Sequence, residues 1–256
     1  MILIDFNQIV ITRIYMFNSR RNETETSLFE NKLFPKALAR DIFDFVRDIH
    51  YKYGSQYGDV VMCADGKGPT WRKEIFPEYK ASRKNITSDA REIKDFTHAF
   101  IDAFYRKYHT GPVIVYSMKG IEADDIIGHL VLTNPDEKHM IVSRDKDFHQ
   151  LHNSNVVSYD YQKKRIVRED GKKKLEEHII CGDRGDGIPN ILSDGDTFVT
   201  EGKRQNAMTK KRFNDLLNKP IKDIEILKNY KRNKELISLY DLPQDIIDRI
   251  ESELIL

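Results

Sequence analysis

The sequence predicts an α/β fold, a mostly parallel central sheet with helices on both faces, followed by a smaller helical C-terminal domain. Two observations predict it. Short apolar runs alternate with helical patterns over residues 1–180, and strand patterns stop recurring near Cys181. The boundaries follow as an α/β domain over 1–180 and a helical domain over 181–256.

Met1–Ile4 is an apolar run ending at Asp5 and reads as the first strand. Asn18 to Glu30 is polar and reads as a loop. From Asn31 to Tyr53, Leu33, Leu38, Ile42, Phe45, Val46 and Ile49 recur at helical spacing. Val60–Ala64 is a second strand, ending at Asp65. Asp89 to Tyr108 is helical, with Ser88 as its N-cap. Val113–Tyr116 is a third strand, Glu122 to Leu132 a helix, Met140–Val142 a fourth strand and Val156–Tyr159 a fifth. Asn206–Leu217, Ile221–Tyr240 and Pro243–Leu254 are helical patterns in the C-terminal part. Neither an internal repeat nor a low-complexity stretch interrupts this order.

Composition narrows the function classes. The 256 residues carry a formal net charge of +1, which argues against an arginine-rich binding arm. The charges are nevertheless segregated: Lys67 to Lys94, Lys163 to Lys174 and Lys203 to Arg212 are basic, and Asp241 to Glu253 is acidic. Cys63 and Cys181 have no CxxC spacing, so they read as reduced thiols rather than a zinc site. No apolar run is long enough to span a bilayer, and the N-terminus lacks a basic n-region, so the expectation is an intracellular, cytoplasmic protein.

The acidic residues stand where chemistry would place them. Asp5 and Asp65 each follow a strand; Glu122, Asp124 and Asp125 open a helix after the third; Asp145 and Asp147 follow the fourth. In an open parallel sheet the C-terminal strand ends share one edge, and sites form there. Asp183 and Asp186, in GDRGDGIP, are spaced to aim together on one helical turn. Taken singly, an Asp after a strand reads as a helix cap or turn former. Taken together, these groups repel one another unless cations compensate. All are hard oxygen donors, and no His or Cys is placed among them, which suits two Mg²⁺ ions, with Mn²⁺ able to substitute. Two such ions can activate water and stabilise the leaving oxygen of a phosphodiester.

GKGPTWRKEIFPEYKASRKN, after Asp65, mixes bases with aromatics. Arg72, Lys73, Tyr79, Lys80, Arg83 and Lys84 are candidate nucleic-acid contacts, Lys80 and Arg83 beside the scissile phosphate. Trp71 and Phe76 read as core plugs ahead of stacking groups. Lys163 to Lys174 reads as a hairpin or loop with solvated charges, and Lys203, Arg204, Lys210 and Lys211 as a patch able to grip duplex backbone.

LIDFNQI, CADG followed by WRKEIFPEYKASRK, IEADD, SRDKDFHQL and GDRGDGIPNI occur in that order. Together they resemble the motif set of the flap-endonuclease superfamily of 5′ nucleases, most of all its T-even-type bacteriophage branch of 5′→3′ exonucleases with ribonuclease H activity. The resemblance runs over nearly the whole chain. It implies a PIN-like 5′ nuclease core, a tighter metal site built by Asp5, Asp65, Glu122, Asp124 and Asp145, and a second built by Asp147, Asp183 and Asp186. Asp125 would bond the metal directly or through water. Residues of about 67–90, with Tyr79, Lys80 and Arg83, would form an arch over the site. The implied activity is exonuclease and flap-endonuclease cleavage of RNA–DNA hybrids and 5′-flap or forked duplex DNA during primer removal. The implied protein is a monomer in the bacterial host cytoplasm, working beside a clamp or single-strand-binding protein. One departure stands out: the Gly-x-Gly turn expected after GDxxDNIPG is absent from GDGIPNILSDGDTFVTEG, which puts a K⁺ site in doubt. The competing readings are a PIN-type single-strand ribonuclease and a catalytically inactive branched-DNA-binding protein.

Overall fold

A computed structural model describes residues 1–20, 27–81, 87–108 and 114–254. Its centre is a six-stranded sheet: β1 (Ile2–Asp5), β2 (Val60–Ala64), β3 (Ile114–Ser117), β4 (His139–Val142), β5 (Val156–Asp160) and β6 (Arg165–Val167). The spatial order is β3-β2-β1-β4-β5-β6. β1 to β5 pair in parallel, whereas β6 turns back against β5 as an antiparallel edge. The first part of the basic stretch Lys163 to Lys174 is therefore a hairpin, whereas Lys172, Lys173 and Lys174 lie in the helix Gly171–Cys181, which corrects the hairpin-or-loop reading there.

The chain winds outward through β2 and β3, then returns to lay β4 on the other side of β1. That reversal opens a crevice beyond the C-terminal ends of β1 and β4, where side chains of neighbouring strands face one another.

Alternation along the strands feeds two cores. Ile2, Ile4, Val60, Met62, Met140 and Val142 face α1 (Phe6–Asn18), α2 (Phe34–Tyr57) and α4 (Ser88–Tyr108). Leu3, Val61, Cys63 and Ile141 face the other way, onto α5 (Ala123–Thr133) and the C-terminal Leu239, Ile246 and Ile250. Each such fully buried aliphatic side chain contributes about 1.5–3 kcal/mol. Ile246 and Ile250 belong to α9 (Gln244–Glu253), so the last helix shares the core of the sheet rather than standing apart from it.

Sequence patterns miss α1. It follows β1 with no loop between, and Asp5 both ends the strand and caps the helix, accepting from the Gln8 amide at 3.1 Å. Ser88 is the first residue of α4 rather than its cap; the Thr87 hydroxyl accepts from the Ala90 amide at 3.3 Å in that role. The remaining helices are α3 (Arg72–Ile75), α6 (Gly171–Cys181), α7 (Lys210–Asn218) and α8 (Ile224–Ile237). Among the described residues no helix is long and apolar enough to cross a membrane.

Where the Gly-x-Gly turn is missing, side chains close the loop instead. Asn190 receives the Ser193 hydroxyl at 2.8 Å and donates to the Asn206 carbonyl at 2.9 Å, tying the two ends of the segment together.

Candidate active site

The crevice at the reversal of strand order is a cleft of about 460 Å³. Its lining includes Asp5, Asp65, Glu122, Asp124, Asp145, Asp147, Asp183 and Asp186, with Lys80 as the cation among the described lining residues. The eight carboxylates reach it from five segments: the ends of β1 and β2, the start of α5, the stretch after β4 and the loop after α6.

Backbone amides and one hydroxyl fix the floor. Asp65 accepts from the Ala123 amide at 3.0 Å, so its carboxylate sits at the N-terminus of α5 where the helix dipole favours negative charge. The Asp65 amide in turn donates to Asn7 Oδ1 at 2.9 Å. Gly66 lets the next turn close, because a Cβ there would lie 1.6 Å from the Met118 carbonyl oxygen. Asp145 Oδ1 receives the Asp147 amide at 3.0 Å.

Asp183 and Asp186 are brought together by a tight loop rather than a helical turn. The Ile188 amide bonds the Asp183 carbonyl at 2.7 Å, the Asp186 amide bonds Asp183 Oδ1 at 3.0 Å, and Gly187 takes a left-handed φ of 76° to close the bend.

Electrostatics separate these groups. Withdrawal from water, then the neighbouring Asp65 and Asp145, pushes the Asp5 carboxyl up to about 7. Burial followed by Asp145 does the same to Asp147, also to about 7. Asp65 is raised chiefly by burial, and Asp124 by burial together with Asp125 and Glu122, against the pull of Arg72. Asp183 moves the other way, down to about 2, because His178 hydrogen-bonds it. Burial opposes a charge on His178, yet Asp183 and Asp147 outweigh it and raise its pKa. His178 Nε2 lies 3.3 Å from Asp183 and Nδ1 3.6 Å from Asp147. The expectation that no histidine stands among the carboxylates is thus corrected. His178 lies five residues before Asp183, but the turn of α6 into the loop, not a motif, brings it in.

Arg72 lies elsewhere than on a nucleic-acid surface. It is 2% exposed and its guanidinium is spent inside the protein. It donates to Asp125 at 2.8 and 3.2 Å, to Glu122 at 2.9 Å and to the Leu236 carbonyl at 2.8 Å. Asp125, fully buried, also accepts from the Trp71 indole at 3.0 Å. Asp125 is therefore the counter-ion of Arg72, and it is not among the residues that line the cleft. Both Glu122 oxygens are engaged as well, one by Arg72 and Tyr79, the other by the Lys80 amine. These cations hold the Glu122 carboxyl below its usual range despite burial.

Tyr79 is 1% exposed, so it presents no face for base stacking. Its hydroxyl reaches Glu122 at 3.1 Å and Asp186 at 2.8 Å. Trp71 and Phe76 are buried core plugs. Lys80 borders the cleft with its amine 3.5 Å from Asp186, and its own amide bonds the Asp186 carbonyl at 2.7 Å. That bond helps hold Lys80 at a φ of 55°, a left-handed conformation that costs a non-glycine residue about 1–3 kcal/mol. Lys73 is half-buried. Arg83 and Lys84 lie outside the described residues. Lys203 is held by Asp194 and Asp196, whereas Arg204, Lys210 and Lys211 are exposed.

The donor set fits divalent cations. Asp5, Asp65, Asp124, Asp145, Asp147, Asp183 and Asp186 offer hard oxygens to one space, and burial together with neighbouring like charge raises the pKa values of Asp5 and Asp147, a cost that a cation would relieve.

Comparison with known proteins identifies a family and a shared fold. Residues 1–179 match the family described as 5′-3′ exonuclease, N-terminal resolvase-like domain. The flap endonuclease Xni of Shewanella pealeana is 32% identical over 149 residues, covering 54% of this chain and 55% of that protein. The 5′-3′ exonuclease of Buchnera aphidicola subsp. Baizongia pistaciae is 29% identical, covering 69% of this chain and 57% of its own length. DNA polymerase I of Pseudomonas aeruginosa is 27% identical over 63% of this chain but only 18% of that protein. The chain thus spans little more than half the length of the first two relatives and far less of the polymerase. Among solved structures, the T5 5′-exonuclease with bound zinc superposes with a TM-score of 0.69 at 18% identity, covering 99% of this chain and 97% of that one. The T5 D15 flap endonuclease, in a complex with DNA and metal ions, gives 0.65 at 18% identity, covering 98% and 96%. These two share the fold. With the family match extending from the first strand to α6, the chain belongs to the 5′-3′ exonuclease family, the family of the N-terminal resolvase-like domain.

Proposed function

We propose that the chain is a divalent-metal-dependent 5′ nuclease, an exonuclease and flap endonuclease that hydrolyses phosphodiester bonds in RNA–DNA hybrids and 5′-tailed duplex DNA. The observation that carries this reading is the convergence of eight carboxylates on one cleft at the reversal of strand order. Family membership and the names of the relatives support the reaction class.

Asp5, Asp65, Asp124 and Asp145 would hold one Mg²⁺ and Asp147, Asp183 and Asp186 a second, with Mn²⁺ a substitute; such ions supply an activated water and stabilise the leaving oxygen. The chain's own residues do the rest. The Ala123 amide holds Asp65 against α5, and Ser143 Oγ, 3.0 Å from Asp5, steadies Asp5. Lys80, fixed at the cleft by Asp186 and Glu122, brings a positive charge to the scissile phosphate. Arg72 and Tyr79 keep Glu122 beside that lysine. Exposed Arg204, Lys210 and Lys211 meet the duplex backbone. Removal of primers and flaps in phage-type lagging-strand replication, as a cytoplasmic monomer beside a clamp or single-strand-binding protein, belongs to the same proposal.

The test is cleavage of a 5′-labelled RNA–DNA hybrid and a 5′-flap duplex, each with Mg²⁺ and with EDTA. Short products from the 5′ end, only with Mg²⁺, are expected. Undiminished cleavage in EDTA overturns the metal-dependent reading; preference for unstructured RNA moves the assignment to a single-strand ribonuclease; tight binding without cleavage moves it to a branched-DNA-binding protein.

A further inference from the structure

Two uncharged residues, Gln8 in the lining of the cleft and Ser143 buried behind it, take no part in the roles above as ligands, yet they connect the two strands on which the metal cluster is divided. Ser143 is 2% exposed and follows β4 directly. Its Oγ is 3.0 Å from Asp5 Oδ2 and accepts from the Asp145 amide at 3.0 Å. A single hydroxyl therefore touches Asp5, at the end of β1, and the backbone that carries Asp145.

Gln8 holds that loop in place. Its Oε1 accepts from the Arg144 amide at 2.6 Å and from the Tyr161 hydroxyl at 3.2 Å. A backbone N–H can only donate, so the amide's orientation is settled: oxygen toward the loop after β4. Two donors fill its two lone pairs. The Ser143 hydroxyl, also 3.3 Å away, is then left for the shorter and charge-assisted bond to Asp5. Tyr161 is itself fixed by Thr12 at 2.8 Å, and the Gln8 backbone amide donates to the other Asp5 oxygen at 3.1 Å. β1, α1, the loop after β4 and the residue after β5 are thus stitched at one amide.

We infer that Gln8 and Ser143 are positioning residues that set the spacing and orientation of Asp5 relative to Asp145, and so the affinity of the cleft for its divalent cation. This rests on the metal-dependent reading of the same cleft. Partners that orient metal-binding carboxylates without touching the metal govern affinity by about 10–100-fold.

The test measures Mn²⁺ binding by electron paramagnetic resonance on the intact protein without nucleic acid, together with the Mg²⁺ dependence of flap cleavage. Ser143→Ala and Gln8→Met are expected to weaken Mn²⁺ binding by about tenfold or more, and Tyr161→Phe by less, at the low end of the same range. The Mg²⁺ concentration for half-maximal rate should rise in step, while KM for the flap substrate moves less than about twofold, since uniform substrate binding is untouched. A merely structural role would lower the melting temperature of the metal-free protein and leave Mn²⁺ affinity of the folded fraction unchanged, and that result overturns the inference. Wild-type Mn²⁺ affinity in both Ser143→Ala and Gln8→Met overturns it too. If the wild type binds Mn²⁺ but cuts neither substrate, the nuclease reading fails while the positioning result still decides this one. If it binds no Mn²⁺, both fall.

Discussion

The cleft has two walls of like charge and unlike chemistry. On one, Glu122 and Asp125 are saturated by Arg72, Lys80, Tyr79 and Trp71, and their negative charge is matched inside the protein. On the other, Asp5, Asp65, Asp145 and Asp147 are steadied mainly by amides and a hydroxyl, with His178 3.6 Å from Asp147 and the charge of Lys80 also acting on Asp65. The first wall is built to hold a shape. The second is withdrawn from water and crowded with like charge, a cost that a bound divalent cation would relieve. In the sequence, Asp124 and Asp125 are adjacent carboxylates at one helix start; in the fold, one lines the cleft and the other is buried behind it against an arginine.

The largest effect that tests this division is on activity. Asp145→Ala should lower the rate of flap cleavage on the order of 10³-fold or more, because loss of even one fixed charge-stabilising group costs about 10²–10³. Near-normal turnover in that variant would show that the second wall is not the catalytic one. Its metal-free stability should hold or rise, since a repelling charge is gone. Arg72→Met should do the reverse. It leaves the buried Asp125 without its cation, at about 3–5 kcal/mol, while Glu122 keeps Lys80 and Tyr79. A denaturation midpoint like that of the wild type would show that the first wall's pairing is not what holds it.

That division explains what could be read in advance. Asp5, Asp65 and Asp145 were legible because each follows an apolar strand, and a parallel sheet puts such ends on one edge. The fates of Arg72 and Tyr79 were not, because alternating bases and aromatics look alike whether they face solvent or a buried acid. Only the packing of 71–80 against α5 and Leu236 distinguishes them. α1 was missed for a local reason. Phe6, Ile9, Val10 and Ile14 have helical spacing, but β-branched residues next to a strand with no turn between hide it. His178, Gln8 and Ser143 act through contacts spanning up to 153 residues, and nothing in their local sequence announces them.

A smaller effect is pH-dependent. Asp5 and Asp147, at about 7 in the fold against 3.8 ordinarily, keep protons that the unfolded chain has already released. Through these two groups the metal-free protein is therefore expected to lose stability as pH rises from about 4 to about 7, and to change little through them above that. Asp183, held near 2, works oppositely and only in strong acid. Divalent metal should cancel the loss and release protons on binding near pH 7. Melting curves at pH 5 and pH 7.5, with and without Mg²⁺, check this. A metal-free protein that becomes more stable across that interval would show that burial and like charge do not hold protons on Asp5 and Asp147.

The smallest effect extends the contrast between matched and unmatched charge to the surface. Lys203 is already paired with Asp194 at 2.8 Å and with Asp196, whereas Lys210 and Lys211 lie on the exposed side of α7, a helix with no buried residue. A cation that already has its carboxylates releases few counter-ions when duplex arrives. Lys210→Ala with Lys211→Ala should weaken flap-duplex binding evenly across sequences and flatten its salt dependence by about one unit of slope per lysine that meets a phosphate. Lys203→Ala should change the slope by less. Binding titrations across a salt series separate the two, and equal loss of slope in Lys203→Ala would mean that its carboxylate partners give way to the backbone of the nucleic acid.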